Sequence, residues 1–344
     1  LVKQADVVIA NYRPGVAARI GVDYGTLSAI NPRLIYCENT AFGAKGPYKD
    51  RAGFDLVSQA MTGIMSFEGA GGLPHPIITT SPTDLAAGFF MAYGVAAALY
   101  QREHTGKGQR IETSLFAAGL AIQYRPIFSI ERLDRETRED LLAALDRAKA
   151  EGKRAEDVIK DHPSRHDALR RANPYYKVYE TRDSYIALAC LNNRLRRLAC
   201  QVLEVEDPRV EGDQFNVDTL SADETIVLSE LIKAIFTNRT TDEWVEAFDA
   251  AGVPCGAVRM TAELFDDPQV VEGDLIVELE HSVLGPVRMA NSPLRMSGGE
   301  TGSRRASPAL GEHTREFLAE HGYSEAEVGE LEAAGVVRSW RRAD

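Results

Sequence analysis

One carboxylate stands apart from its surroundings. In SPTDLAAGFFMAYGVAAALYQ, Asp84 is the only charged side chain between Ser81 and Gln101. Ser81 is a good N-cap type, Pro82 suits the first helical position, and Asp84 falls where a capping box places an acid. An acid there also meets the positive end of the helix dipole. The same placement suits an attacking carboxylate, because the helix field favours the ionised form that nucleophilic catalysis needs. Position alone leaves both roles open. Two further sets of residues carry charge that could meet a ligand. Arg13 and Arg19 follow an apolar run, ADVVIA, where a phosphate could be reached. Lys49 and Arg51 lie in AFGAKGPYKDRAGFD, which holds three glycines, one proline and three basic residues in fifteen positions. Solvated arginines and a plain surface loop are the alternatives.

These residues need a frame. Val7, Val8 and Ile9 form a continuous apolar run, as a strand buried on both faces would. Residues 11–15 then sit at its carboxyl end, where open α/β sheets bind ligands. A short helix is expected over 24–30, stopped by Asn31-Pro32, and a second strand over 33–38. Residues 56–65 read as a helix. The Asp84 helix runs to about Arg102, apolar all round and so expected to be buried between layers, with Gly88 and Gly94 allowing close approach. RIETS is a strand and 115–124 a helix.

The composition changes near Ser129. Residues 131–160 are dense in charge, with Leu133, Leu141, Leu142, Leu145 and Ala148 marking an amphipathic face. Strands are expected over 177–181 and 185–189, helices over 194–203, 224–236 and 241–251, a strand in AGVPCGAVR, a strand–turn–strand bending at Gly285, and closing helices over 312–320 and 324–332. The fold class is therefore α/β in the first part and α+β in the second. The chain thus reads as two lobes, an α/β lobe to about Ser129 and an α+β lobe after it, with the charged stretch as an excursion or linker between them.

Composition bounds the function. The chain has 344 residues and a net charge of −12, which argues against a general nucleic-acid or anionic-membrane surface. No apolar run is expected to span a bilayer. Cys37, Cys190, Cys200 and Cys255 are scattered, as reduced structural thiols of a cytoplasmic protein would be. There is no GxxxxGK[ST], GxGxxG or GxSxG, which argues against an ATP-driven ligase, an ordinary dinucleotide dehydrogenase and a serine hydrolase of the elbow type. No metal site is expected.

ADVVIANYRPG, NPRLIYCENTAFGAKGPYKDRAGFDLVSQAMTGIM, TDLAAGFFMAYGVAAALYQREHTGKGQRIETSLF, WVEAFDAAGVPCGAVRMTAELFDDPQV and LGEHTREFLAEHGYSEAEVGELEAAGVV occur in that order. Together they resemble the family III CoA-transferases, the formyl-CoA transferase and carnitine CoA-transferase group. The resemblance covers nearly the whole chain. The family begins some way before Leu1, so an N-terminal portion is expected to precede this sequence.

The resemblance implies several things. Asp84 would be the catalytic aspartate, passing through an acyl-aspartyl anhydride and an aspartyl-CoA thioester. Asn11, Tyr12, Arg13 and Arg19 would line the CoA nucleotide. Lys49 and Arg51 would lie near its phosphates or pantetheine arm. An acyl-CoA donor and a carboxylate acceptor would be the substrates, with no tightly bound cofactor. The fold would be an interlocked homodimer, divided into 1–129 as a large Rossmann-like CoA-binding domain, 130–170 as a helical linker, 171–280 as a small α+β domain, and 281–344 as a C-terminal segment returning to the large domain. The family's glycine-rich loop is not evident in DHPSRHDALRRANPYY. Two rivals remain. One is an α-methylacyl-CoA racemase-like isomerase, against which Phe54 stands where racemases carry a histidine; the other is a non-catalytic CoA-binding subunit.

Overall fold

The computed structural model describes residues 1–66, 73–123, 127–161, 173–216 and 219–340. The chain divides into two compact units, Leu1–Ser164 and Arg165–Asp344. DHPSRHDALRRANPYY lies for the most part outside the described residues.

The first unit is built on a three-stranded parallel sheet. Its strands are β1 (Val7–Ala10), β2 (Ile35–Thr40) and β3 (Gln109–Ser114), in that spatial order. Val7 pairs with Ile35, and Ile35 with Gln109. The central strand is the one closed on both faces: Ile35, Tyr36 and Cys37 are buried. β1 is an outer strand and Ile9 lies largely exposed, which corrects the expectation that this run is covered on both faces. The short helices α1 (Val16–Arg19) and α2 (Tyr24–Ile30) follow β1. Asp23 caps α2 by accepting from the Thr26 N–H at 3.1 Å. Ala10, Leu27, Leu34 and Tyr36 form the core between α2 and the sheet.

Three further helices surround the carboxylate of interest. α3 (Asp55–Thr62) follows the loop after β2, α4 (Pro82–Thr105) leads into β3, and α5 (Leu115–Ala121) leaves β3 directly. Ala86, Ala87, Leu115 and Ala118 pack α4 on α5. α4 returns the chain to the amino end of a parallel strand, so its own first turn lies toward the carboxyl edge. Its 24 residues span about 36 Å, against about 20 Å for the strand that follows. At the other end, the buried Arg102 guanidinium donates to Asp6 at 2.8 Å and to the Arg33 carbonyl at 3.3 Å.

α4 departs from expectation in two ways. It is not covered all round: Leu85, Phe89, Phe90, Tyr93 and Tyr100 are exposed, Tyr93 to 76%. By length and composition it is also long and apolar enough to cross a membrane. No such run was expected; here the helix packs on β2, β3 and α5. Of its two interior glycines, only Gly94 serves close packing, since a Cβ there would meet the Ile111 side chain at 3.1 Å. Gly88 faces open space. The charged stretch forms α6 (Glu131–Ala150) and α7 (Ala155–Asp161). Ala144 and Ala148 are buried on α6, but Leu133 and Leu142 point to solvent.

The second unit has its own core. β4 (Tyr176–Glu180), β5 (Tyr185–Ala189) and β6 (Cys255–Ala257) form an antiparallel sheet. α8 (Asn193–Leu203), α9 (Ala222–Phe236) and α10 (Thr241–Ala250) supply Cys200, Leu203, Ile232, Phe236, Trp244 and Phe248 to the core that includes Tyr179 and Ile186. Ser221 and Thr240 close capping boxes with Glu224 and Glu243. α11 (Pro268–Glu272), the hairpin β7 (Ile276–His281) and β8 (Gly285–Ala290), and α12 (Thr314–Glu320) and α13 (Glu325–Ala333) complete the unit. Gly285 takes φ 74° at the hairpin bend, a left-handed conformation that favours glycine.

Candidate active site at the mouth of α4

The first turn of a helix has N–H groups with no partner inside the helix. At α4 the sequence offers Ser81 to meet them, but Ser81 lies in the left-handed region at φ 42°, and its side chain caps nothing. No capping box forms there either. The cap comes from another helix. Asp55, the first residue of α3 and buried, accepts through Oδ1 from the Thr83 N–H at 2.8 Å and the Thr83 hydroxyl at 2.7 Å. A longer contact, 3.4 Å, reaches the Asp84 N–H.

Asp55 is itself held. The Gln59 amide donates to its Oδ2 at 2.5 Å. The same amide group donates to the Ile77 carbonyl and accepts from the Ile77 N–H, both at 2.9 Å. α3 is thereby tied to the chain that enters α4. On the other side, α5 comes close through Gly119. A Cβ at that position would lie 3.0 Å from Thr62 Cγ2 and 3.1 Å from Thr83 Cγ2. The Gln123 amide donates to the Gly119 and Thr62 carbonyls at 2.7 and 3.0 Å and closes the α3–α5 contact.

The outcome is a pair of carboxylates in unlike settings. Burial works to raise the Asp55 pKa, but hydrogen bonds from Thr83, Gln59 and the helix N–H groups outweigh it and hold Asp55 below its ordinary value. Asp84 moves the other way. Desolvation of its carboxyl, followed by the negative charge of Asp55, raises its pKa. The helix terminus is therefore not the only influence on the Asp84 carboxyl, since desolvation and the Asp55 charge act on it in the opposite sense. Among the described residues, no hydrogen bond or ion pair engages the Asp84 carboxylate. Two acids whose environments push them apart are a recurring sign of divided roles.

The other candidates lie along the carboxyl edge of the same sheet. Asn11, Tyr12 and Arg13 directly follow β1, and Arg19 ends α1. Lys49 and Arg51 sit in the loop between β2 and α3. All six are exposed. The Arg51 guanidinium lies over the Tyr48 ring at 5.0 Å and the Phe42 ring at 5.7 Å. Arg13, Arg19, Lys49 and Arg51 form no ion pair among the described residues. The root of the loop is fixed, since Glu112 accepts from the Ala44 N–H at 2.8 Å and Thr40 from the Gly43 N–H at 2.9 Å. Among the described residues, no group of three His, Cys, Asp or Glu side chains is arranged to hold a metal ion.

Sequence reasoning assigned no role to Asp55, Thr83, Gln59 or Gly119. Asp55 stood in GFD at a helix start, after a glycine- and base-rich loop, and that was the available signal. Its partner across 28 residues was not readable.

Comparison with known proteins identifies the family. The profile of CoA-transferase family III matches residues 1–314. An acetyl-CoA:oxalate CoA-transferase of Acetobacter aceti is 31% identical over 91% of this chain and 72% of its own length. The human succinyl-CoA:glutarate CoA-transferase is 27% identical over 96% of this chain and 70% of its own. The crystal structure of a CAIB/BAIF family protein from Brucella suis superposes with a TM-score of 0.66 at 28% identity, covering 93% of this chain and 76% of that one. The chain belongs to CoA-transferase family III, and it is a CoA-transferase acting on CoA thioesters and carboxylic acids.

Proposed function

We propose that Asp84 is the acyl carrier of this transferase. The observation that carries the reading is the division of labour at α4: Asp55 does the capping, and the Asp84 carboxylate stays unengaged at the helix mouth. In the first step a carboxylate oxygen of Asp84 attacks the thioester carbonyl. A C–O bond forms, the C–S bond breaks, and CoA leaves as the thiolate. The thiolate then attacks the aspartyl carbonyl of the mixed anhydride, giving aspartyl-CoA thioester and releasing the first acid as its carboxylate. The acceptor carboxylate attacks that thioester, regenerates an anhydride and expels the thiolate again. Attack of the thiolate on the new acyl carbonyl yields the product thioester and restores Asp84. One thioester replaces another, so the exchange is near balance and needs no nucleotide hydrolysis. Covalent capture divides one difficult transfer into easier steps.

Asn11, Tyr12, Arg13, Arg19, Lys49 and Arg51 are proposed to hold CoA. Their support is placement on the edge that α/β sheets use for ligands, together with the phosphate affinity of arginine. The two transferases compared above are named for the dicarboxylic acids oxalate and glutarate. A small dicarboxylate is the acceptor we propose here. We further propose a cytoplasmic interlocked homodimer, in which residues 281–344 return to the large domain. The exposed apolar residues of α4 favour a covered surface. A racemase would need a second acid or base near the substrate, and Phe54 offers none.

The test is a trapping experiment. The protein is mixed with succinyl-CoA or acetyl-CoA, quenched with hydroxylamine and mapped by peptide mass. A hydroxamate on Asp84 is expected. Exchange of the substrate α-proton with solvent, with no adduct and no second acid required, would instead support the isomerase; CoA binding with neither adduct nor exchange would support a binding subunit.

A further inference from the structure

We propose that Asp55 is the positioning residue of this site: acting from α3, it takes over the helix-end donors of α4 and so leaves the Asp84 carboxylate free to meet substrate. The inference rests on the reading of Asp84 as acyl carrier. An acid in the first turn of a helix ordinarily folds back onto the backbone N–H groups. A carboxylate spent that way has its lone pairs occupied. Here the donors are claimed by a buried oxygen from outside the helix, and the left-handed Ser81 removes the local competitor.

The contact is held on every side. Gln59 fixes the second oxygen of Asp55 and is itself fixed by both backbone groups of Ile77. Gly119 brings α5 against the Thr83 methyl group from the opposite direction. Thr83 therefore cannot shift without disturbing α3 or α5, and Asp84 is its neighbour in the chain. Charge acts in the same sense. Of the elements packed on α4, α3 carries no charged side chain but Asp55 and α5 carries none, while β2 carries Glu38 and β3 carries Arg110 and Glu112, which pair with one another; residues 73–81 carry only the titratable His75. The field at Asp84 from these elements is thus mainly that of Asp55, and a like charge makes the Asp84 carboxylate more basic and a stronger nucleophile.

The test uses the full chain, with the Asp carboxyl carbons labelled by carbon-13 and Asp84 assigned through Asp84→Asn. Two variants of Asp55 separate charge from contact. Asp55→Asn keeps an acceptor for Thr83 and loses the charge; Asp55→Ala loses both. In Asp55→Asn the Asp84 titration midpoint is expected to fall. Trapping of the Asp84 adduct from succinyl-CoA is expected to slow, with CoA affinity unchanged. In Asp55→Ala trapping should drop by about 100-fold, the cost of a misplaced reacting group. Thr83→Val serves if Asp55→Ala does not fold, and should lower trapping while Thr83→Ser restores it.

An unmoved Asp84 midpoint in Asp55→Asn, with trapping unchanged in all variants, overturns the proposal. Absence of any adduct in the parent protein overturns the acyl-carrier reading instead. The titration then still decides whether Asp55 sets the state of Asp84: a moved midpoint retains that link, an unmoved one removes it.

Discussion

Asp55 and Thr83 meet through a single oxygen, which takes the Thr83 backbone N–H at 2.8 Å and its hydroxyl at 2.7 Å. One carboxylate thus starts α3 and caps α4. A cap supplied from a neighbouring helix couples the position of the two elements, whereas a cap supplied locally fixes only the one helix.

Removing the Thr83 hydroxyl should show the strength of that coupling. Thr83→Val retains the shape and the backbone donor but deprives a buried carboxylate of one hydrogen bond. Loss of about 1.5–3 kcal/mol is expected, the range for hydrogen bonds to charged groups. Urea unfolding monitored by circular dichroism measures it, and a loss below about 0.5 kcal/mol would mean that the hydroxyl contact contributes little.

Asp84→Asn separates the two roles weighed for that residue. A carboxylate whose pKa is raised by folding binds its proton more readily in the folded chain than in the unfolded one. It therefore lowers stability at neutral pH, and stability returns as the pH falls through its folded pKa. Asp84→Asn should abolish transfer and raise the melting temperature at neutral pH. The increase should fade in acid. A capping Asp84 would give a lower melting temperature. Asp55 has the opposite sign: its pKa is depressed, so its contribution is present above the unfolded carboxylate range and is lost as the pH falls through its folded value.

Gly119→Ala adds one methyl group where α5 approaches Thr62 and Thr83 at 3.0–3.1 Å. Crowding of this kind costs about 1–3 kcal/mol, while alanine returns up to about 1 kcal/mol of helix propensity. A net loss of about 1 kcal/mol is expected. Transfer should slow more than the stability loss implies, because the crowded neighbour adjoins Asp84. Steady-state kinetics beside thermal melts would separate the two effects.

At the other end of α4, the ion pair is lopsided. Arg102 is buried and Asp6 is largely exposed. Asp6→Asn leaves a buried guanidinium with carbonyl partners only and should cost about 1–2 kcal/mol. Arg102→Met removes the buried charge altogether and should stay within about 1 kcal/mol of the parent. The reverse order in chemical denaturation would contradict this account.

The thiols should be inert in the folded chain. Burial pushes Cys190 and Cys255 up to about 11, and raises Cys37 and Cys200 as well. Iodoacetamide at about pH 8 should modify the native protein slowly and all four cysteines once it is unfolded in urea.

Much of this organisation was readable from local pattern. The turn at 182–184 separates β4 and β5, Asn31 ends α2, and of the two cap candidates Thr240 and Thr241 it is Thr240 that caps α10. The strands on either side of a long apolar helix were visible for the same reason, though their parallel pairing was not. Long-range choices were not. Ser81 has the composition of a cap, yet its backbone turns left-handed and a residue far back in the chain takes its place. Apolar residues all round α4 predict full burial, whereas Phe89, Tyr93 and Tyr100 are exposed. Hydrophobicity states what a face tolerates and does not identify what covers it. Gly88 and Gly94 look alike in sequence, and only the position of Ile111 distinguishes them.

α4 is secured at both ends by residues that lie outside it. Arg102 reaches Asp6 and Arg33 near the amino edge of the sheet, and Thr83 is gripped by Asp55. The two anchors stand about 28 Å apart along the axis. Packing on β2, β3 and α5 opposes rotation of the helix as a whole, and a grip at each end also resists twist along its length. The direction in which Asp84 points is therefore set partly by a contact well away from it, and torsional slack introduced at Arg102 would be felt as a change of aim at the opposite end.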